Sequence, residues 1–116
     1  MSEYTGRRIT PDEVEAAYSE TGLKPARTGH EFLHDVRDGS TCACGLGAVY
    51  CRETGDRQSP APWHVRQVLR LGSYYLCGYG SGFEGNPPNP VATAESELGY
   101  ADGQAAAARV FGEVSA

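Results

Sequence analysis

Apolar residues recur every three or four positions in four stretches of the chain, and this spacing predicts a mainly helical fold. The first helix begins at residues 10–13, T-P-D-E, where threonine is the cap, proline takes the first helical position and glutamate completes a capping box. It should run to about Thr21, because Gly22 suits the left-handed conformation that ends many helices. Its predicted apolar face consists of Val14, Ala17 and Tyr18.

The same signals predict further helices downstream. One is expected from about Cys42 to Thr54, with Gly55 ending it. A long amphipathic helix is expected from Trp63 to Phe83, and a last one from about Thr93 to Val114. The apolar positions of the long helix are Val65, Val68, Leu69, Gly72, Leu76, Tyr79 and Phe83. The last helix places Gly103, Ala107, Val110 and Val114 on one stripe.

The segment from Leu23 to Gly39 has a weaker pattern. Lys24 precedes a proline, which discourages helix at that point. Residues 30–36 fit a short strand, and they also fit one or two helical turns that begin at Thr28, with Glu31 three positions later. Of these two alternatives we favour the strand.

The string G-Y-x-x-G occurs twice, at residues 78–82 and 99–103, so that the two copies are 21 residues apart. Glycines four residues apart lie on one face of a helix and let a second backbone approach closely. Each helical glycine costs about 0.5 to 1 kcal/mol relative to alanine, and tight packing or a bound partner would offset that cost. We expect these helices to face each other across the Asn86 to Pro90 turn, through Gly78, Tyr79, Gly82 and Phe83 on one helix and Gly99, Tyr100, Gly103 and Ala107 on the next.

Together these patterns predict one globular domain over residues 1–116, mainly α and at the margin of α+β. It should contain four helices and one short strand or hairpin, with the helices packed through small-residue faces. Residues 1–9 precede the first helix signal and are expected to be flexible.

Composition excludes several classes of function. The net charge is −5, and four of the ten basic residues lie within residues 52–70, too small a basic footprint for nucleic-acid binding. Apolar runs are too short to span a bilayer and no secretion signal is evident, which predicts a soluble cytoplasmic protein. Reduced thiols are then expected at all four cysteines, mostly in buried positions.

The string at residues 30–34 matches H-E-x-x-H and so resembles the zincin metalloproteases. On a helix this spacing would make His30 and His34 ligands of Zn²⁺ and Glu31 the general base. However, a third ligand is missing at any recognised spacing, and only 29 residues precede the motif, too few for the sheet on which zincin helices pack. A small zinc-dependent hydrolase is therefore the alternative function, and ordinary polar positions on a strand or turn are the favoured interpretation.

Other motifs are weaker. Cys42 and Cys44 form a C-x-C pair. Its alternative roles are to join other cysteines or histidines around zinc, or to supply a nucleophilic thiolate, but packing is the more usual role of such cysteines. Residues 80–85 match the dinucleotide fingerprint G-x-G-x-x-G, yet N-P-P-N-P follows where a helix would have to begin. Nucleotide binding is excluded on that ground.

A strip of exposed side chains is the best candidate for a binding surface. Arg66, Arg70 and Tyr74 are spaced i, i+4, i+8 on the predicted long helix, and Trp63 and His64 lie at its start. Arginine pairs well with carboxylates and phosphates, so this strip could dock an acidic partner or a phosphate. A solvated helix face is the favoured interpretation of the strip, and docking is the alternative.

Three short motifs resemble a family of small uncharacterised proteins of actinobacteria and their phages: A-A-Y through T-G-L-K-P at residues 16–25, C-G-L-G-A at 44–48, and the two G-Y-x-x-G strings. The resemblance implies a cytoplasmic accessory protein without catalytic residues. The sequence therefore predicts a non-enzymatic interaction protein, such as a phage or host accessory factor, that contacts another protein and needs no cofactor.

Overall fold

The computed structural model describes residues 4–27, 32–35, 41–87 and 93–112. In this part of the chain, five helices and a small three-stranded sheet form, so the fold is mainly α with a minor β part. In chain order the elements are α1 Pro11–Thr21, β1 Lys24–Pro25, β2 Leu33–Asp35, β3 Thr41–Ala43, α2 Gly45–Thr54, α3 Pro62–Leu69, α4 Ser73–Glu84 and α5 Ala94–Phe111. The predicted fold class is confirmed, with five helices instead of four.

Helix α1 begins and ends where the sequence predicts. The Thr10 hydroxyl oxygen accepts a hydrogen bond from the Glu13 backbone N–H at 3.2 Å, and Gly22 ends the helix with a φ of 72°. The Glu13 carboxylate binds Arg7 at 2.6 Å rather than returning to the cap, so only half of the predicted capping box forms. The buried residues of α1 are those predicted, Val14, Ala17 and Tyr18.

The strand favoured for residues 30–36 forms at Leu33–Asp35, while residues 30, 31 and 36 lie outside the described part. It pairs antiparallel with β3, and β1 pairs with the other edge of β3 in parallel. The predicted start of the second helix at Cys42 is wrong. Thr41–Ala43 belong to the central strand, and α2 begins at Gly45 with Cys44 as its N-cap.

The single helix predicted from Trp63 to Phe83 is also wrong, because the chain breaks after Leu69 into α3 and α4. Arg70 has a φ of 57°, and the backbone N–H groups of Arg70 and Leu71 both donate to the Arg66 carbonyl, which closes α3. Gly72 is extended and forms the N-cap of α4. The apolar spacing continues across this break, so the hydrophobic pattern did not reveal it.

Helices α4 and α5 make the most extensive contact between elements in the described part of the chain. Four glycines form it, each under a backbone carbonyl oxygen of the other helix: Gly78 under Ser96, Gly82 under Tyr100, Gly99 under Tyr75 and Gly103 under Tyr79. A Cβ at any of the four would lie under 3.0 Å from that oxygen, which real Cβ atoms essentially never show. The expected packing of helices through small-residue faces is confirmed.

The two helices run parallel, since these glycine contacts advance in the same direction along both. At one end, the Glu95 carboxylate near the start of α5 binds the backbone near the start of α4. At the other end, the rings of Phe83 and Phe111 have centroids 5.5 Å apart. The tight turn expected from Asn86 to Pro90 would have made the two helices antiparallel. Residues 88–90 of that segment lie outside the described part of the chain.

The register of the pair reproduces the sequence repeat. Ser96 and Gly99 stand 21 residues after Tyr75 and Gly78. The contact of Gly78 with Ser96 therefore becomes the contact of Gly99 with Tyr75 when the two helices are exchanged. The pair thus has an approximate two-fold symmetry about an axis that runs along the helices.

Aromatic and aliphatic side chains from all five helices fill one core. Its largest fully buried members include three tyrosines, Tyr50, Tyr75 and Tyr79. The segment that precedes α1 contributes Ile9, which is completely buried, and Tyr4, which stacks on Tyr75. No helix among the described residues combines the length and hydropathy that crossing a membrane requires.

Candidate functional site

Helix α3 presents an exposed face that combines an indole with two guanidinium groups. Val65 and Leu69 are buried in the core, so the opposite side of the helix faces solvent. On that side Trp63 is 60% exposed, and Arg66 and Arg70 are also exposed. We call Trp63, Arg66 and Arg70 the α3 face.

The two arginines of the α3 face differ from most others in the chain. Among the described residues, neither Arg66 nor Arg70 has a side-chain hydrogen bond or an ion pair with a carboxylate. By contrast, carboxylates bind four arginines elsewhere at 2.5 to 3.3 Å: Arg7, Arg8, Arg52 and Arg109. In a protein with a net charge of −5, these two positive charges remain available to an external partner.

The break between α3 and α4 changes the predicted strip. Tyr74 was expected on the same helix face as Arg66 and Arg70, but it lies in the first turn of α4. Its ring is 59% exposed. Arg70 and Tyr74 instead line the same open groove, which also receives residues 4–6 and the start of α5. We call this feature the N-terminal groove.

The N-terminal groove lies where the parallel helices α4 and α5 both begin. Helix α4 has no side-chain cap of its own, and the Glu95 carboxylate supplies one from α5. Its Oε2 atom accepts hydrogen bonds from the backbone N–H groups of Tyr74 and Tyr75 at 2.8 and 3.0 Å. A Cβ at Gly72 would lie 2.7 Å from both carboxylate oxygens, so glycine makes room for this cap.

The opposite wall of the groove comes from the segment before α1. The Tyr4 ring is parallel to that of Tyr75, with centroids 4.8 Å apart. The Tyr4 hydroxyl donates to the Arg7 carbonyl at 2.7 Å and accepts from the Gly72 backbone N–H at 3.2 Å. Burial is the main cause that raises the pKa of Tyr4, although the Gly72 hydrogen bond acts in the opposite direction. The Tyr4 phenol that forms this wall is therefore kept neutral, and its two hydrogen bonds hold it in place.

A cluster of polar groups links Tyr75, below the Tyr4 ring, to α5 and to the segment before α1. The Tyr75 hydroxyl donates to Asp102 at 2.6 Å and accepts from the Ile9 backbone N–H at 2.9 Å. Arg8 donates two hydrogen bonds to the same carboxylate, at 2.8 and 3.0 Å. Burial, followed by the Asp102 hydrogen bond, raises the pKa of Tyr75. The cluster ties residues 8 and 9 to both helices of the parallel pair.

A second, mostly apolar cleft lies between the start of α2 and helix α4. Phe32, Leu76 and Phe83 line it, together with the thiols Cys44 and Cys77. None of the four cysteines is joined in a disulfide: Cys42 and Cys51 are buried, Cys44 is half-buried and Cys77 is exposed. The Cys44 sulfur caps α2 by accepting from the Gly47 backbone N–H at 3.4 Å. Cys44 therefore has a structural role as the N-cap of α2.

Tyr79, the tyrosine of the first G-Y-x-x-G string, is completely buried. Its hydroxyl has no hydrogen-bond partner among the described residues. Burial is the main cause that raises its pKa well above the ordinary value. Tyr100, the tyrosine of the second string, is half-exposed, and its hydroxyl donates to the Asn86 carbonyl at 2.5 Å.

The H-E-x-x-H string falls partly outside the described residues, which include neither His30 nor Glu31. His34 lies on strand β2, where it is exposed and stands opposite Cys42 of β3. A zincin motif needs a helix through its second histidine, and residues 33–35 are extended. Within the described residues, no group of three or more His, Cys, Asp or Glu side chains is placed to hold a metal ion.

The G-x-G-x-x-G string occupies the second half of α4, and its last glycine is the C-cap. Dinucleotide sites need this motif at the start of a helix, so its position here is the reverse of what they require. The sequence did not single out Tyr4 or Glu95 as members of a site. The only available signal was an acidic residue in the first turn of α5, which ordinarily stabilises its own helix rather than a neighbour.

No protein-family model, no curated protein and no solved structure matches this chain. The resemblance to the actinobacterial and phage family therefore stays a prediction.

Proposed function

We propose that this protein is a non-enzymatic binding protein that docks an acidic segment of another protein on the α3 face. One observation carries the proposal: Trp63 is 60% exposed beside Arg66 and Arg70, neither of which pairs with a carboxylate among the described residues. Tryptophan and arginine are the residue types that most often dominate the energetics of protein interfaces.

The physical gain from covering the α3 face is substantial. A tryptophan side chain buries about 150 to 250 Å² when fully enclosed. At about 25 cal/mol per Å², covering the exposed part of Trp63 would contribute roughly 3 kcal/mol to binding. Two guanidinium groups add hydrogen bonds to carboxylates and set the sign of the partner's charge.

The glycines of α4 and α5 do not add to this proposal. Their cost as helix-interior residues is a reason to expect tight packing or a bound partner. The four carbonyl contacts between α4 and α5 supply the tight packing within the chain. Support for a partner therefore comes from the α3 face alone.

The resemblance to small actinobacterial and phage proteins indicates what kind of partner to expect. It favours a cytoplasmic accessory factor that acts on a protein of the host or of the phage. Nucleic acid is disfavoured as the partner, because the four basic residues within residues 52–70 form too small a basic footprint to bind a run of phosphates.

Trp63 is the single tryptophan of the chain, so its fluorescence reports directly on the α3 face. The probe is a synthetic peptide of about eight residues without Trp or Tyr, with glutamate at alternate positions. The control peptide carries glutamine at each of those positions. We expect a saturable change in Trp63 emission with the acidic peptide, weakened by salt, and a much smaller change with the control peptide.

Variants identify the charges responsible. Arg66→Gln and Arg70→Gln should each weaken binding of the acidic peptide by about tenfold. Arg109→Gln makes the same change in net charge on α5, where Arg109 pairs with Asp12, and should leave the affinity unchanged. An unchanged Trp63 emission with the acidic peptide, or an equal response to both peptides, would overturn the proposal.

A further inference from the structure

The N-terminal groove continues the α3 face, and together they point to the shape of the bound segment. We infer that the partner segment is extended, with carboxylates on Arg66 and Arg70 and an uncharged apolar side chain beside Tyr74 in the groove. This inference rests on the proposed function, and it adds the binding mode and the sequence pattern of the partner.

Continuity of the two features is the first support. Arg70 is the last residue of the α3 face, and it also lines the groove with Tyr74 and Tyr4. Tyr74 is 59% exposed, so an apolar side chain that lies against its ring removes area from water on both partners. Trp63 and Tyr74 are the two large apolar side chains that stand exposed among the described residues, one in the α3 face and one in the groove.

Spacing is the second support. Arg66 and Arg70 are four residues apart, which corresponds to about 6 Å along a helix axis. Alternate side chains of an extended strand point to the same side and are about 6.6 Å apart. An extended segment with acidic residues at positions i and i+2 therefore matches the backbone spacing of Arg66 in α3 and Arg70 at its C-cap.

Charge distinguishes the groove from the α3 face. The groove contains the Glu95 carboxylate, which the backbone N–H groups of Tyr74 and Tyr75 already bind. A carboxylate of the partner next to Glu95 would be repelled, whereas an apolar side chain would not. The partner's acidic positions consequently belong on α3 and its apolar position in the groove.

Three synthetic peptides without Trp or Tyr test the inference. The full probe has the acidic half E-S-E-S followed by the apolar half L-G-L. The half probe is E-S-E-S alone, and the acidic probe carries glutamate in place of both leucines. Trp63 emission measures binding to the α3 face, and NMR signals of the Tyr74 ring report on the groove.

We expect the full probe to bind about tenfold more tightly than the half probe, and to shift the Tyr74 signals. The acidic probe should show no such advantage. Tyr74→Ala should remove the advantage of the full probe and leave binding of the half probe unchanged. This variant keeps the backbone N–H that Glu95 caps, and Gln67→Ala on the exposed side of α3 is the matched control.

Equal affinities of the full and half probes, or an advantage that survives Tyr74→Ala, would overturn the inference. In that case a Trp63 response to the half probe would still support docking on the α3 face. If no probe changes Trp63 emission, the proposed function fails as well. The two failures are thus distinguishable in one set of titrations.

Discussion

The carbonyl oxygen of Tyr79 lies over Gly103, in the space that any side chain at position 103 would need. The carbonyl is a backbone atom of a buried helix turn, so it has no rotamer by which to move away. We therefore expect Gly103→Ala to lower the free energy of unfolding by about 3 kcal/mol or more, as measured by urea denaturation. Gly82→Leu and Gly103→Leu should prevent folding.

Gly80 is the matched control for this prediction. It lies in the same helix as Gly82, but nothing comes within 4 Å of the position that its Cβ would take. Gly80→Ala should raise the free energy of unfolding by about 0.5 to 1 kcal/mol, because alanine is the better helix former. Equal effects of the substitutions at positions 80 and 103 would contradict the interlocked helix pair.

Tyr79 and Tyr75 should respond in opposite directions to the loss of a hydroxyl. The Tyr79 hydroxyl is buried without a hydrogen-bond partner among the described residues, which costs about 1 to 3 kcal/mol. Tyr79→Phe should therefore stabilise the protein. Tyr75→Phe should destabilise it, because it removes the hydrogen bonds with Asp102 and the Ile9 backbone N–H. Thermal denaturation of the two variants provides the comparison.

Alkaline pH should unfold this protein steeply. Burial is the main cause that raises the pKa values of Tyr18, Tyr75 and Tyr79 in the folded state. The contribution of these neutral tyrosines to the free energy of unfolding is complete below about pH 10, the ordinary pKa of tyrosine in an unfolded chain. It is lost as the pH rises from there toward the raised pKa values of the folded state. Each such tyrosine lowers stability by about 1.4 kcal/mol per pH unit in that window. Urea denaturation at several alkaline pH values should show this slope, and Tyr79→Phe should reduce it.

The Glu95 carboxylate acts as a cap for a helix other than its own. Glu95→Gln should lower the free energy of unfolding by about 1 kcal/mol, because a charged acceptor binds two backbone N–H groups at the start of α4 more strongly than a neutral one. Glu97→Gln makes the same change two residues later, on an exposed side chain. A similar loss in both variants would show that only the dipole of α5 is involved.

Metal analysis of the purified protein tests the zinc-dependent alternative. On the proposed function we expect no stoichiometric zinc, and His34→Ala should leave the metal content unchanged, since His34 lies on strand β2 rather than on a helix. Zinc near one equivalent that is lost in His30→Ala would instead favour the hydrolase.

Local signals in the sequence were sufficient where the structure depends on local contacts. The cap at Thr10 and the end at Gly22 involve residues a few positions apart, and both were predicted. The start of α2 was missed because Thr41–Ala43 pair with two other strands, and the local sequence around Cys42 does not indicate that pairing. The break at Arg70 was missed because left-handed backbone at arginine has no compositional signal, unlike glycine.

The candidate site, like the fold, could be predicted only where its residues are close in sequence. Trp63, Arg66 and Arg70 could be identified from spacing, because the first two lie in α3 and Arg70 is its C-cap. The N-terminal groove could not, since residues 4–6, Arg70 and Glu95 meet only when α5 runs parallel to α4. The doubled G-Y-x-x-G string indicated that two backbones meet, but not their direction.

The atoms that face the four glycines belong to the backbone, and this limits which second-site mutations can suppress a substitution at these positions. A larger residue at position 78, 82, 99 or 103 meets a carbonyl oxygen, and every residue type has the same carbonyl. Shrinking a side chain on the facing helix therefore cannot restore the fit. Second-site suppressors of a substitution at these positions should be absent from the facing helix, and reversion to glycine should be the main route by which function returns.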